Sequence, residues 1–296
     1  MNSYQRALIT ATLFALLSCT EEPQQDASAI SEISAKVDAL DHQIKAAIAP
    51  YDWQLSLDHH RMAQKENAYT PPAIATLFSD PEVNSIILEN NDQLIALDLP
   101  FKLLAYSEPG GDDAILAYTS AEFIASRHDL PDSLLVNYSE KLNSVLNLVD
   151  NSTISEVETE LIEKGFAIVK IKSDFDFGTT IEKLKATINS LPDTIWFGEL
   201  DFQDDANKIG IELNPTRLLL FGAPEPGAEA MKSTPKLGLD AFCQKLLVFE
   251  DEGGAVWAAY NDITAFSDLY YAKATLPQRV IKRRLKSTIS NTLEQK

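Results

Sequence analysis

Apolar positions set the first element. Ile30, Ile33, Val37, Leu40, Ile44 and Ile48 step by three or four residues, one face of a helix that Pro50 stops. Ile181, Leu184 and Ile188 repeat the phase of Val37, Leu40 and Ile44 at a displacement of 144 residues. After each helix the pattern shortens. Residues 52–57 and 195–200 read as strands, each followed by a polar stretch (Ala63-x-Lys65 and Ala206-x-Lys208) that reads as a short helix. Residues 74–78 and 218–221 are apolar runs too short for a helix and bounded by proline, hence strands. Strand pairs at 102–106 with 115–118, and at 245–249 with 255–260, enclose segments rich in Gly and acidic residues that suit hairpin loops. Leu130-Pro131 and Leu276-Pro277 open a terminal helix in each half, proline fitting a helix's first turn.

The parallel between the halves extends to identities. Leu57-Asp58 returns as Leu200-Asp201, Pro72 as Pro215, and Leu77-Phe78-x-x-Pro81-Glu82 as Leu220-Phe221-x-x-Pro224-Glu225. Leu97-Asp98 returns as Leu239-Asp240, Lys102-Leu103-Leu104 as Lys245-Leu246-Leu247, and Tyr118 as Tyr260. Two related modules in one chain predict two copies of one fold packed as an internal pseudo-dimer. The Phe-x-x-Pro block reads as a strand closed by a turn. Residues 153–172 have no counterpart in the first half. They carry a Thr153-x-x-Glu156 capping box, a short helix ended by Gly165, and a strand-like apolar run from Phe166 to Ile171. One sheet is therefore expected to be a strand shorter, unless this strand crosses over. Helices and strands do not alternate regularly, which predicts an α+β class with mainly antiparallel, helix-backed sheets.

Charge and the N-terminus change the picture next. Residues 2–6 carry one positive charge, residues 7–17 are apolar but too short to span about 30 Å of hydrocarbon, and Leu16-Leu17-Ser18-Cys19 has the form of a lipobox. Residues 1–19 thus read as a lipoprotein signal with Cys19 as the acylated residue, and residues 20–29 as an acidic, flexible tether. Thr20 rather than Asp after the cysteine resembles Gram-negative lipoproteins of the outer membrane, which in such an envelope implies an anchor facing the periplasm. The first copy then occupies 30–150 and the second 151–296. A net charge of −19 argues against nucleic acid as a partner. One stretch departs from it: Lys273, Arg279, Lys282, Arg283, Arg284 and Lys286 hold six of the 25 basic residues. They form either a face for an anionic surface, or a solvated face that pairs with the acidic body. With Cys19 lipidated, Cys243 is left as a single thiol, expected buried and inert.

The second half resembles the family known as domain of unknown function 302. Phe177-x-x-Thr180-x-x-x-Leu184, Pro215-Thr216-x-Leu218-x-x-Phe221-Gly222-x-Pro224, Leu239-Asp240, Lys245-x-Leu247-Val248 and Trp257-x-x-Tyr260-Asn261 carry the resemblance. The first half keeps Leu97-Asp98-Leu99-Pro100-x-Lys102, Asp58-His59 and an Arg127-His128 ending. The resemblance implies one helix-backed antiparallel sheet per copy, similar to the TATA-binding-protein-like class, with copies that tend to pair. It implies no reaction, and fold alone carries no function.

Positions kept in both copies are the candidate site: Asp98, Lys102 and Tyr118 in one, Asp240, Lys245 and Tyr260 in the other. A Lys-Asp pair at a strand mouth binds an anionic ligand, assists proton transfer if burial shifts a pKa, or closes a loop as a structural ion pair. The tyrosines either aim hydroxyls into the same cleft or serve the core. All four histidines (His42, His59, His60 and His128) sit in the first copy. Imidazoles suit zinc, yet His59 and His60, read as neighbours on a strand, point to opposite faces. No metal or cofactor is therefore expected, and Asp58 and His59 remain candidates for an acid–base role. Hydrolase, phosphate-loop and zinc-protease signatures are missing from the sequence. The expected function is a membrane-anchored envelope protein that binds a small or partly apolar ligand. A hydrolytic or metal-assisted enzyme and a docking protein are the alternatives.

Overall fold

The computed structural model describes residues 27–149, 153–157 and 159–295; the signal expected over residues 1–19, with Cys19, lies outside them. The first copy runs α1 (Ala27–Ala47), β1 (Asp52–Asp58), α2 (His59–Lys65), β2 (Ala73–Ser79), α3 (Pro81–Leu88), a 3₁₀ segment (Gln93–Leu97), β3 (Phe101–Tyr106), β4 (Ile115–Tyr118), α4 (Ala121–His128) and α5 (Val136–Leu146). Between the copies lie β5 (Thr153–Ser155) and β6 (Ile168–Lys172). The second copy continues α6 (Phe177–Ser190), β7 (Ile195–Asp201), α7 (Phe202–Lys208), β8 (Thr216–Gly222) and α8 (Pro224–Met231). It ends with a second 3₁₀ segment (Pro235–Gly238), β9 (Gln244–Glu250), β10 (Val256–Asn261), α9 (Ile263–Tyr271) and α10 (Leu276–Leu293). Among the described residues no helix is long and apolar enough to cross a membrane.

The two sheets share one topology. Their strand orders are β1-β2-β3-β4-β5 and β6-β10-β9-β8-β7, with β1–β4 and β7–β10 antiparallel in matching register. Even the irregularity in the first strand recurs, between Trp53 and Leu55 and between Trp196 and Gly198. The expectation of one shorter sheet is corrected: both have five strands. Thr153–Ser155 does not open a helix but pairs in parallel with β4, although the boundary at 150/151 assigned it to the second copy. Glu156, read as a capping-box partner, instead accepts a 2.7 Å bond from Tyr118 Oη. β6 fills the corresponding edge of the second sheet in the antiparallel sense. The connecting segment thus supplies the fifth strand to each side.

Two helix pairs were not legible in the apolar pattern. The Phe-x-x-Pro blocks end in α3 and α8 rather than in turns, with Pro81 and Pro224 in the first helical turn. Asp80 caps α3 through Val83 N, whereas Ala223 gives α8 no side-chain cap. Ser120 and Asp262 cap the equally unforeseen α4 and α9. The duplicated Asp58 and Asp201 are caps too, accepting from Arg61 N and Asp204 N.

The copies dock reciprocally. The first 3₁₀ segment lies on β8, β9 and β10, and the second lies on β2 and β3. Helix α2 packs on α8 while α3 packs on α7, the same contact seen from either side. That exchange is the mark of a two-fold relation, here within one chain. Gly238 allows the close approach: a Cβ there would stand 3.0 Å from Leu104 Cδ1 and 3.3 Å from His59 Nε2. Outside the seam, α1 backs β2 and β3 of the first sheet, and α6 and α10 close the outer face of the second.

Candidate functional site

Each 3₁₀ segment leads into the duplicated Leu-Asp step and on to a strand with lysine as its second residue, so both Asp-Lys pairs arrive at the seam. The pairing crosses it. Lys102 Nζ donates to Asp240 Oδ1 at 2.7 Å and stands 3.5 Å from Asp98 Oδ1. Asp98 is held mainly by Arg127, whose Nη1 reaches both carboxylate oxygens at 2.8 Å, and by His128 Nε2 at 2.7 Å. Arg127 then bridges to the second copy: Nη2 donates to Asn261 Oδ1 at 2.7 Å and Nε to the Phe166 carbonyl at 2.8 Å. Its guanidinium lies 5.7 Å and 5.3 Å from the ring centres of Phe123 and Phe266, one from each copy. Asp240 accepts in addition from Tyr270 Oη at 2.5 Å, and Asn261 Nδ2 donates to the Asp240 carbonyl at 2.8 Å. Tyr270 occupies in α9 the place that His128 occupies in α4.

Burial raises the stakes. Asp98, Lys102, Arg127, Asp240 and Lys245 are all buried. Burial pushes the Asp98 carboxyl up, but Arg127, His128 and Lys102 outweigh it and hold the group well below the usual carboxylate range. Asp240 is likewise held down against burial by Lys102 and Lys245. Lys102 keeps its proton because Asp240 and Asp98 offset its desolvation. Two carboxylates are thus balanced by two fixed cations. Lys245 is the surplus amine. Its Nζ stands 4.0 Å from Asp240 Oδ1 and finds no hydrogen-bond partner among the described residues. Burial, then the charge of Lys102, pushes its pKa down to about 7.

Four of the six residues expected to line a ligand cleft therefore meet, but in a sealed interior. Tyr118 and Tyr260 are elsewhere. Leu103 faces Tyr118 and Leu246 faces Tyr260 across their ladders, so each tyrosine lies on the sheet face opposite its copy's lysine. Tyr118 bonds Glu156, and Tyr260 Oη, without a partner among the described residues, is pushed up to about 12 by burial. Asp58 is a helix cap paired with Arg61, not an acid at the centre. His59 and His60 open a helix rather than sharing a strand. The His60 ring contacts the Thr70 carbonyl at 2.6 Å and Gln64 Nε2 at 2.9 Å. Among the described residues no three His, Cys, Asp or Glu side chains converge as a metal set. Arg127 was missed as a site residue; the Arg-His ending of the first copy was its one signal.

Solvent-reaching space comes up to the ionic centre at His128, which lines the polar trough described below. A cleft of about 70 Å³ opens between α6, α10 and the end of the second sheet, walled by Leu184, Ile188, Phe221, Leu246, Leu285 and Ile289. Arg284, fixed by Asp193, and several threonines stand at its mouth. A wide polar trough between loops of both copies carries Asp92, Asp129, Glu212, Asp251 and Glu252 with Lys170.

Fold and centre define a tandem α+β chain whose two copies close over a shared, buried ion network. The pattern of the domain of unknown function DUF302 matches residues 31–149 and again 169–292, and the chain belongs to that family. The fluoride-specific ion channel FluC 1 of Brucella suis biovar 1 is 32% identical over 102 residues, 34% of this chain and 39% of that one. FluC 2 of Brucella melitensis biotype 1 is also 32% identical over 102 residues, 36% of its length. The chain spans little more than a third of the curated relatives it matches. An uncharacterized conserved DUF302 protein from Bacillus stearothermophilus, known from a crystal structure, is similar at 14% identity and a TM-score of 0.35. The match covers 43% of this chain and 95% of that one.

Proposed function

We propose that the chain is a lipid-anchored envelope protein that acts by binding, taking the apolar end of a small amphipathic molecule in the cleft beneath α10. The observation that carries this reading is the cleft itself: aliphatic and aromatic walls with a cation and hydroxyl groups at the mouth. Its volume is below the roughly 300 Å³ of a site for a drug-sized ligand, so it suits a short apolar group rather than a whole molecule. Cys19 supports the address. The channel activity in the relatives' names belongs to whole chains of which this one matches about a third, and it does not enter the reading. The ionic centre does not support an enzyme, because no cavity described above touches Lys245.

Native mass spectrometry of the full chain released from its membrane tests both parts. Acyl chains on Cys19 and a co-purifying small mass, absent from a Leu285→Trp variant that fills the cleft, are expected. An unacylated Cys19 removes the anchor, and a ligand mass unchanged by the variant removes the site.

The outer face of α10 supports a second reading, docking to an anionic lipid surface. Lys282 pairs with Asp262 and Arg284 with Asp193, while Lys273, Arg279, Arg283 and Lys286 have no ion pair among the described residues. Leu276 and Val280 beside them are 72% and 53% exposed. Each such cation contributes about 1 kcal/mol near an anionic surface. Co-sedimentation with phosphatidylglycerol-containing vesicles is expected, with loss in high salt and in Arg279→Glu/Arg283→Glu. Equal binding to neutral vesicles would refute it.

A further inference from the structure

A second cavity, of about 30 Å³, lies at the seam where α2 meets α8, on the other side of Gly222, Ala223, Gly227 and Phe242 from the cleft above. Its walls include His59 and Met62 from α2, Met231 from the end of α8, and Cys243 just ahead of β9. The chain has three methionines and two cysteines, of which Met1 and Cys19 lie outside the described residues. All the sulfur-bearing side chains of the described residues therefore belong to residues that line one small space. Elsewhere the seam core that holds Met231 is built from Leu, Ile, Ala, Phe and Tyr.

The nitrogen in the set is equally pointed. His59 is half-buried as a residue, but its Nε2 is sealed and has no hydrogen-bond partner among the described residues. Burial, opposed only by Asp58, pushes the imidazole down to about 4, so it stays neutral with a lone pair to offer. Leaving such a buried atom unpaired is unfavourable, and a ligand within its reach would relieve it. Thr70 Oγ1, on the same wall, is also without a partner among the described residues. The volume admits a single ion or a water molecule. Thiol, thioether and imidazole together are the donors that soft monovalent metal ions select, whereas hard divalent ions favour oxygen.

We propose that the seam cavity binds one soft monovalent cation, Cu(I) or its analogue Ag(I), through His59 Nε2, Cys243 Sγ and the Met231 thioether. Met62, which is only partly buried, stands on the entry side. On binding, the S–H bond of Cys243 breaks, its proton leaves to solvent, and the sulfur–metal bond forms with no change of oxidation state. The thiolate's charge cancels that of the ion, so no net charge is added beside Lys245 and Lys102, the cations that Cys243 already senses. Because its donors come from both copies, the ion would clasp the seam. The absence of a His and carboxylate cluster does not bear on this site, since thioethers supply part of it.

Anaerobic titration of the full chain with Cu(I) against a competing chromophoric chelator tests the proposal. One equivalent is expected to bind, with the affinity lowered more than about 100-fold in Cys243→Ser and at least about 10-fold in Met231→Leu and His59→Gln. His42→Gln, on an exposed face of α1, is expected to change nothing. Retention of parent affinity in Cys243→Ser and His59→Gln would overturn the proposal, marking surface adsorption. X-ray absorption of the loaded parent chain needs no variant to fold: a shell of sulfur with one nitrogen is expected, and a shell of oxygen and nitrogen alone would refute the site.

Discussion

Asp98→Ala is expected to destabilise the folded chain by about 3–5 kcal/mol, the range for removing one partner from a buried charge pair. The carboxylate takes two bonds from Arg127 and one contact each from His128 and Lys102, and the buried Arg127 and Lys102 have no water to take its place. Arg127 would be left as an uncompensated guanidinium between Phe123 and Phe266. Since the same side chain ties the first copy to Asn261 and Phe166, the loss should reach both halves at once. Urea unfolding followed by fluorescence checks this. Trp53 reports on the first sheet, Trp196 and Trp257 on the second, and one transition shifted for all is expected. A loss under about 1 kcal/mol would show that the centre is solvated and not the joint described above.

Lys245→Met is expected to act in the opposite direction, raising stability by roughly 1–4 kcal/mol, as replacement of buried charge by a fitting apolar group does. The amine has no hydrogen bond to lose and its protonated form would sit beside Lys102. The sign with pH follows from the depressed pKa. An unfolded lysine titrates near 10.4, whereas this one titrates near 7 in the fold. Between those values the unfolded chain binds the extra proton, so the parent gains stability as pH rises from about 7 towards 10. Below about 7 both states are protonated and the penalty is full and constant. The advantage of the variant should therefore be greatest at or below neutral pH and shrink in alkali. An advantage that does not vary with pH would place a fixed charge, or none, at this position.

The apolar periods carried most of the architecture because they record burial directly. Val37, Leu40 and Ile44 announce α1, and the twin runs before Pro81 and Pro224 announce the central strands. Short elements escaped where local signals outweigh burial. β5 has only three residues, held by pairing with β4 rather than by any alternation of its own. A Thr-x-x-Glu spacing there mimics a helix cap. The helices α4 and α9 begin with good caps but are too brief for a period to emerge. Duplication marked Asp98, Lys102, Asp240 and Lys245 as a set, yet it could not show that Asp240 serves the lysine of the other copy while Arg127 holds Asp98. That partnering depends on the docking of two surfaces, which no single-chain pattern encodes. Arg127 and the cluster of sulfur atoms escaped for the same reason.

Joining the copies in one chain also has a lasting effect on the joint between them. In a dimer of identical subunits, any residue on the axis meets its own image, so a guanidinium there would confront a second one. Here Arg127 in α4 is answered in α9 by Leu269, and His128 by Tyr270. Covalent fusion released the two sides from mirrored change. The guanidinium that joins Asp98 to Asn261 thus has no image on the far side, where a leucine stands instead.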